Sequence, residues 1–340
     1  MKQLIIALLV LGIVSARPLS ADEPKADRIK VLIVDGQNNH DWRTTTPYMK
    51  KWLEACGRFT VDVATAPDKP HHPNPPAQLK PDAGEDAKQK FAAAVAKYVE
   101  EEAKYKLDEP EHKRQMAEFK PDFAKYDVVL SNYNGDAWPP ETTRLLESLL
   151  SAGKIGLVIV HAANNSFPKQ WDEFDKMIAL GWRDNRYGDR ITVDDKGEEV
   201  RVPKGQGPGA SHGAQHAFTI TVRDRHHPIT EGMPAEWLHA QDELYHGLRG
   251  PGQNMHLLAT AYSDRKKGGT GENEPMIWTV TYGKGRVFHT PMGHGIEAMR
   301  CVGFIMTLQR GTEWAGTGKV TIPIPDNFPT AEKTSSVPAK

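Results

Sequence analysis

Three short, strongly apolar runs constrain the fold of this chain more than any other feature of its sequence. They occupy residues 29–34 (IKVLIV), 126–131 (YDVVLS) and 155–160 (IGLVIV). A strand with one face in water alternates apolar and polar residues, whereas a run without alternation is typical of a strand covered on both faces. Helical patterns separate or follow these runs at 44–56, 140–150 and 170–178. The sequence therefore predicts parallel strands with helices packed on both sides of the sheet.

The second half of the chain has a different pattern. Short β-prone segments follow one another without intervening helices, at 190–193, 198–202, 217–222, 257–262, 276–281 and 286–290. The last two are joined by Tyr282-Gly283-Lys284-Gly285, which predicts a hairpin turn, and a closing helix is predicted over 297–310. We therefore expect an α/β fold with a mostly parallel sheet sandwiched by helices and an antiparallel extension.

The two ends and one internal segment differ from this pattern. Residues 1–21 combine Lys2, an apolar run over 4–14 and small-residue cleavage sites at 14–16 and 19–21. This layout is typical of a secretory signal peptide. A linker over 22–28 would follow. Residues 67–121 are Pro-rich and then charged, which predicts an inserted loop with one or two exposed helices. We expect a secreted or periplasmic protein, with no stable membrane insertion after processing. At the other end, residues 315–340 are predicted to form a polar extension.

Composition excludes several classes of protein. Lys plus Arg (43) nearly balances Asp plus Glu (44), so the chain lacks the basic surface that nucleic-acid binding requires. The only cysteines, Cys56 and Cys301, exclude a disulfide scaffold and a Cys-rich metal site. Whether these two cysteines pair stays open, as does assembly into a homo-oligomer. The partner that we expect is a small molecule.

Polar residues follow each of the apolar runs, in the segments 35–42, 131–136 and 161–165. Ligands of parallel sheets bind beyond the carboxyl ends of the strands, so these segments predict a polar ligand pocket that includes Asn132 and Asn164. His161 directly follows the most apolar run, where some α/β enzymes place a nucleophile on a sharp turn. A histidine there can act as a general acid or base, or as a metal ligand.

Histidine is abundant, with 14 in the chain. His212 and His216 are separated by three residues, and we take them as candidate ligands of a divalent metal ion. No sequence pattern requires a cofactor. Asp242 and Glu243 are adjacent, so in an extended segment they face opposite sides and only one of them enters a pocket.

Five segments, taken in order, resemble the ThuA-like (trehalose utilisation) family over roughly residues 29–312. They read KVLIVDGQNNHDW, LVIVHAANNSF, HHPITEGMP, DELYHGL and PMIWTVTYGKGRVFHTPMGH. The resemblance implies a flavodoxin-like fold of the class I glutamine amidotransferase-like superfamily, in a single domain over 29–314. It also implies that several polar and aromatic residues belong to the site. They are His40, Trp42, His161, Asp242, Glu243, Tyr245, Trp278, Arg286 and His294.

The cysteine of the amidotransferases would occupy the position of His161, so thiol-dependent glutamine hydrolysis is not expected. Family members are associated with the breakdown of disaccharides and 3-keto-glycosides. We therefore hypothesise an exported enzyme that acts on such a sugar, with His161 and His294 exchanging protons and Asp242 or Glu243 orienting one imidazole or acting as a base. The other site residues would bind substrate. A carbohydrate-binding protein with a decayed site, a His-ligated metal-dependent hydrolase and an interaction module that docks through residues 67–121 are the alternatives.

Overall fold

The structure, a computed structural model, describes residues 28–338, so the predicted signal peptide lies outside the described residues. The helices are α1 (Trp42–Ala55), α2 (Glu85–Ala117), α3 (Pro140–Ser151), α4 (Asp172–Ile178), α5 (Ile296–Met299) and α6 (Val302–Thr317), with 3-10 turns at Phe123–Lys125, His161–Asn165 and Arg265–Lys267. The strands are β1 (Ile29–Asp35), β2 (Phe59–Thr65), β3 (Val128–Ser131), β4 (Gly156–Val160), β5 (Arg190–Val193), β6 (Glu199–Val202), β7 (Ser211–His212), β8 (His216–Val222), β9 (Glu236–Asp242), β10 (Tyr245–His246), β11 (Met255–Tyr262), β12 (Asn273–Tyr282) and β13 (Gly285–Thr290).

One large mixed sheet organises the fold. Its strands lie in the order β2-β1-β3-β4-β13-β12-β11-β8-β9, with β5 and β6 attached beside β12. The first five strands are parallel to one another, and every pairing from β13 to β12 onward is antiparallel. The predicted α/β fold class, with a parallel part and an antiparallel extension, is confirmed.

The apolar runs form strands that are buried on both faces, as their lack of alternation predicts. In β4, Val158 and Val160 point into one core, whereas Leu157 and Ile159 point into the other. Helices α1 and α6 cover the first core, and α3 and α4 cover the second. Because both faces are covered, only the strand ends can hold polar groups that reach a ligand.

Strand β9 was not predicted, and its composition explains why. Its buried positions do not alternate regularly, because the pairing with β8 is irregular there, and two of them are polar residues, His239 and Asp242, both fully buried. A search for alternating apolar residues fails where polar side chains occupy the inward positions. These two residues are bonded to each other and belong to the functional site.

The inserted segment and the C-terminal extension are both more ordered than their composition indicates. The charged part of the insertion is a single 33-residue helix, α2, which buries only His112 and Met116. In the extension, Phe328 packs on Trp237 of β9, and the backbone N–H of Val302 donates to the carbonyl oxygen of Ser335.

The two cysteines are both free thiols, with Cys56 exposed and Cys301 buried. Within residues 28–338, no helix is long and apolar enough to cross a membrane.

His289, on β13, gives a test of how burial shapes stability. Burial lowers the pKa of its imidazole to about 3, from about 6.5 in the unfolded chain. The unfolded state therefore takes up the proton first, so this contribution to stability is present above about pH 6.5 and is lost as the pH falls towards 3. We expect the free energy of urea unfolding to fall between pH 7 and pH 5. In His289→Asn that fall should be about 2 kcal/mol smaller.

His226→Asn is the matched control, because His226 is exposed. Its free energy of urea unfolding should fall between pH 7 and pH 5 by the same amount as that of the unmodified protein. An equal fall in all three proteins would mean that His289 is not the group that takes up the proton.

Candidate functional site

Four side chains converge beyond the carboxyl ends of the strands: His40, His161, Glu243 and His294. His40 lies in the loop after β1, His161 directly follows β4, Glu243 directly follows β9, and His294 lies in the loop after β13. One nitrogen or carboxylate oxygen from each lies within 4.8 Å of those of the other three. We call this group the His/Glu cluster. It draws on both the parallel and the antiparallel parts of the sheet.

The backbone at His161 makes the sharp turn that the sequence predicts. His161 has a φ of 48°, in the left-handed region that residues other than glycine seldom adopt, and it begins a 3-10 turn immediately after β4. The side chain is only 3% exposed. The turn thus holds a buried imidazole at the end of a central strand.

Hydrogen bonds set the tautomers of two cluster histidines. The Nδ1 of His161 lies 2.8 Å from the carbonyl oxygen of Pro291, and the Nδ1 of His40 lies 3.3 Å from Oδ1 of Asn38. Both partners only accept, so each Nδ1 carries the proton. In the neutral rings, each Nε2 then has a lone pair, and the two Nε2 atoms lie 3.3 Å apart.

Tyr245 and His212 border the cluster through the short pairing of β10 with β7. The Tyr245 hydroxyl lies 2.9 Å from Nε2 of His161. Burial raises the pKa of this phenol, so it keeps its proton and donates it to the imidazole. His212 Nε2 lies 3.6 Å from Oε1 of Glu243, with the side chain 39% exposed. The segment that carries β7 therefore covers one side of the cluster.

The cluster favours neutral imidazoles around an ionised carboxylate. Burial lowers the pKa of His161 to about 4, and burial also lowers that of His294. For Glu243, burial opposes ionisation, but the imidazoles of His40, His294 and His161 beside it outweigh burial and hold its pKa below the usual value. At neutral pH these groups can accept protons or bind cations.

Asp242 holds the cluster together from behind. Its carboxylate accepts hydrogen bonds from the backbone N–H groups of Glu243 (2.8 Å), Gly293 (2.7 Å) and His294 (3.0 Å), and from Nε2 of His239 (2.9 Å). Burial opposes both charges of the Asp242–His239 pair. Their hydrogen bond nevertheless lowers the pKa of Asp242 and raises the pKa of His239 to about 9.

The expectation that only one of the two adjacent acids enters a pocket fits this arrangement. Glu243 faces the cluster, whereas the side chain of Asp242 is fully buried. Of the two roles expected for either acid, Asp242 has the contacts of the one that orients an imidazole, here that of His239, because all four donors around its carboxylate come from the protein.

Three other predicted substrate-binding residues lie at the same edge of the sheet. Asn132 is buried, and its Nδ2 donates to the hydroxyls of Thr45 (3.1 Å) and Thr46 (2.9 Å). Asn164 is also buried, and its Nδ2 lies 3.3 Å from Nε2 of His289. Both asparagines thus hold the loops in place. Trp42 is partly exposed at the start of α1, where the Arg43 guanidinium lies over its ring.

Two residues assigned through the family resemblance lie away from the cluster. Trp278 is fully buried in β12, with its indole N–H donating to the carbonyl oxygen of Ile178 (3.0 Å). Arg286 lies near the start of β13, opposite the end that leads to His294, and donates to the last carbonyls of α6. The assignment of both to substrate binding is corrected, because their polar groups are satisfied within the scaffold.

The predicted metal ligands are also placed differently. His212 lies at the edge of the cluster, and Nδ1 of His216, at the start of β8, bonds to the carbonyl oxygen of Ala214 (2.7 Å). Neither belongs to the set of ligand atoms that converges in the described part of the chain. Sequence reasoning missed His239 as the partner of Asp242, and it treated His40 only as a substrate-binding residue.

Comparison with known proteins agrees with the fold and the motifs. The family model described as "ThuA: Trehalose utilisation" matches residues 80–315. The chain belongs to the ThuA family. A crystal structure of a protein described as ThuA-like from Parabacteroides merdae is 37% identical and has a TM-score of 0.75, with 92% of this chain and 98% of that chain covered. No curated protein matches the chain significantly.

A second structure shares the fold alone. A ThuA-like protein from Bacteroides uniformis has a TM-score of 0.50 at 17% identity, covering 87% of this chain and 94% of that one. Within this ThuA-family chain, the family match includes His161, Glu243 and His294, whereas His40 precedes it. The cluster is thus completed by a residue of the first strand-end loop.

Asp242→Asn tests whether this carboxylate holds the site. The amide would place an N–H₂ group against backbone donors and remove the partner of a buried, charged histidine, so we expect the free energy of unfolding to fall by about 3 kcal/mol. Guanidinium-induced unfolding at pH 7 measures it. The control is Asp326→Asn, at an exposed position, which should change stability by less than about 0.5 kcal/mol. Similar values for the two variants would contradict the assignment.

Proposed function

We propose that this ThuA-family protein is an exported enzyme that acts on a disaccharide or its 3-keto derivative at the His/Glu cluster. The convergence of three imidazoles and one carboxylate at the carboxyl edge of the sheet is the observation that carries the proposal. The family's description, trehalose utilisation, supports a carbohydrate as the substrate. The signal-like pattern of residues 1–21 supports export.

The chemistry that we propose is proton transfer beside a ketone. In a 3-keto-glycoside, the carbonyl group acidifies the C–H bond at C2, and the glycosidic oxygen leaves from C1. A base takes the C2 proton, the C1–C2 double bond forms as the C1–O bond breaks, and the departing alkoxide gains a proton. An acidified C–H needs only a modest base, and this site offers an ionised carboxylate and neutral imidazoles.

Individual groups suit these roles. Glu243 is ionised and reaches His40, His161 and His294 within 3.9 Å, so it can accept the proton and share it with an imidazole. Tyr245 keeps its phenolic proton against His161 and can supply it to a departing oxygen. Neither free thiol belongs to the cluster, which argues against glutamine hydrolysis through a cysteine.

Mass spectrometry in D₂O tests the proposal. Purified protein is incubated with trehalose, other disaccharides and their 3-keto derivatives, and products and deuterium gained at C2 are measured. We expect cleavage and exchange with the 3-keto sugars, and a fall of at least about 100-fold in both for Glu243→Gln, as is typical when a general base is lost. His226→Ala, at an exposed position outside the site, should retain full activity.

Two results would count against the proposal. Saturable sugar binding by calorimetry, without product or exchange, would instead indicate a non-catalytic carbohydrate-binding protein. Unchanged turnover in Glu243→Gln would mean that the reaction occurs elsewhere. Export is tested separately, by whether the periplasmic or secreted chain begins near residue 22.

A further inference from the structure

We propose that the His/Glu cluster is a binding site for one divalent transition-metal ion, with Zn²⁺ as the ion that fits its donors best. The ligands would be His40, His161 and His294 through one ring nitrogen each, and Glu243 through its carboxylate. This inference deepens the proposed function, since it concerns the same side chains. It can nevertheless be tested without any substrate.

The lone pairs of the cluster outnumber the protons available to them. His40 and His161 commit their Nδ1 protons to Asn38 and Pro291, which leaves two Nε2 lone pairs facing each other at 3.3 Å. Nδ1 of His294 is buried and has no hydrogen-bond partner among residues 28–338. The single hydroxyl of Tyr245 cannot satisfy all three nitrogens and a carboxylate. A cation at their centre would satisfy them together.

The spacing also matches a four-coordinate ion. Ligands about 2.0–2.1 Å from Zn²⁺ in a tetrahedral site lie about 3.3–3.4 Å from one another. Here the Nε2–Nε2 distance between His40 and His161 is 3.3 Å, and Nδ1 of His294 lies 3.4 Å from Oε2 of Glu243. The same oxygen lies 3.7 Å from His161 Nε2 and 3.9 Å from His40 Nε2. Small side-chain movements would close these edges around an ion.

The surroundings of the four side chains fit metal ligation as well. Histidines that bind metals usually donate their other ring N–H to a carbonyl or carboxylate, which orients the ring, and His161 and His40 both donate to such oxygens. Asp242, whose charge His239 balances, fixes the backbone of Glu243 and His294 behind the cluster. Three nitrogens and one oxygen favour a transition metal over Mg²⁺ or Ca²⁺, which prefer oxygen ligands.

The cluster side chains differ in their exposure to solvent. The side chains of His161 and Glu243 are less than 10% exposed, whereas that of His294 is 32% exposed. A small molecule can therefore approach past His294, and a bound ion could take it as a fifth ligand. A bound ion there would polarise a sugar oxygen or a water molecule.

Titration of the full chain, without an affinity tag and after removal of metals by EDTA, tests the site. Isothermal calorimetry with Zn²⁺ should give about one ion per chain, and Co²⁺ should give the visible absorption of a tetrahedral complex. His40→Ala, His294→Ala and Glu243→Gln should each weaken Zn²⁺ binding by at least about 100-fold, the upper end of what loss of an outer partner costs. Circular dichroism and melting curves establish that the variants are folded.

His216→Ala and His226→Ala are the controls, because both remove a histidine outside the cluster. They should bind Zn²⁺ as the unmodified chain does. The proposal is overturned if neither Zn²⁺ nor Co²⁺ binds saturably, if binding survives in the folded cluster variants, or if His216→Ala abolishes it. Stoichiometric binding without sugar turnover would leave the metal site standing and reject the proposed function. Sugar turnover by a metal-free chain that also binds no ion would support the proposed function and reject the metal site.

Discussion

The carboxylate of Asp242 is the group on which the geometry of this site most depends. It is fully buried, and an ion that is removed from water must be compensated by hydrogen bonds. Four donors from three parts of the chain supply that compensation: β9 itself through His239, the start of the next segment at Glu243, and the loop after β13 at Gly293 and His294. If any of these parts moved, the buried carboxylate would lose hydrogen-bond donors. Two cluster side chains are thereby held in register without contacting Asp242 themselves.

The hydrogen bonds of Asp242 join two halves of the sheet that have different roles. The parallel half delivers His40 and His161 at the ends of β1 and β4, in the place where α/β proteins bind ligands. The antiparallel half brings Glu243 and Tyr245 to the same place. His161 adds a second connection, since its Nδ1 donates to Pro291 in the loop after β13. The cluster therefore exists only when both halves have folded and paired.

The sequence predicts the parts of this arrangement that depend on local pattern. Unbroken apolar runs locate β1 and β4, and the residue after β4 is a candidate because a strand end is where a polar group can reach a ligand. Local sequence pattern does not predict which side chains from distant parts of the chain contact each other. No spacing reveals that His40 meets His161, 121 positions away, or that His239 neutralises Asp242 inside an unpredicted strand. Trp278 was misassigned because a sequence motif does not distinguish a side chain that contacts a ligand from one that packs the sheet beside it.

The cluster contains several features that lower stability and that the rest of the fold does not need. His161 holds a left-handed backbone conformation, which costs of the order of 1–2 kcal/mol for a residue other than glycine. The buried Nε2 of His161 lies 3.3 Å from that of His40, with the Tyr245 hydroxyl as the donor to His161, and Nδ1 of His294 is buried without a hydrogen-bond partner in the described chain. A site with no ligand could be filled by apolar side chains without these penalties. Backbone strain next to an unpaired polar group at a strand end is typical of a binding or catalytic centre, because what binds there supplies the missing partner. The same argument favours an occupied site over a decayed one, since a bound ion or sugar stabilises the fold by a free energy that grows with the logarithm of its concentration over its Kd.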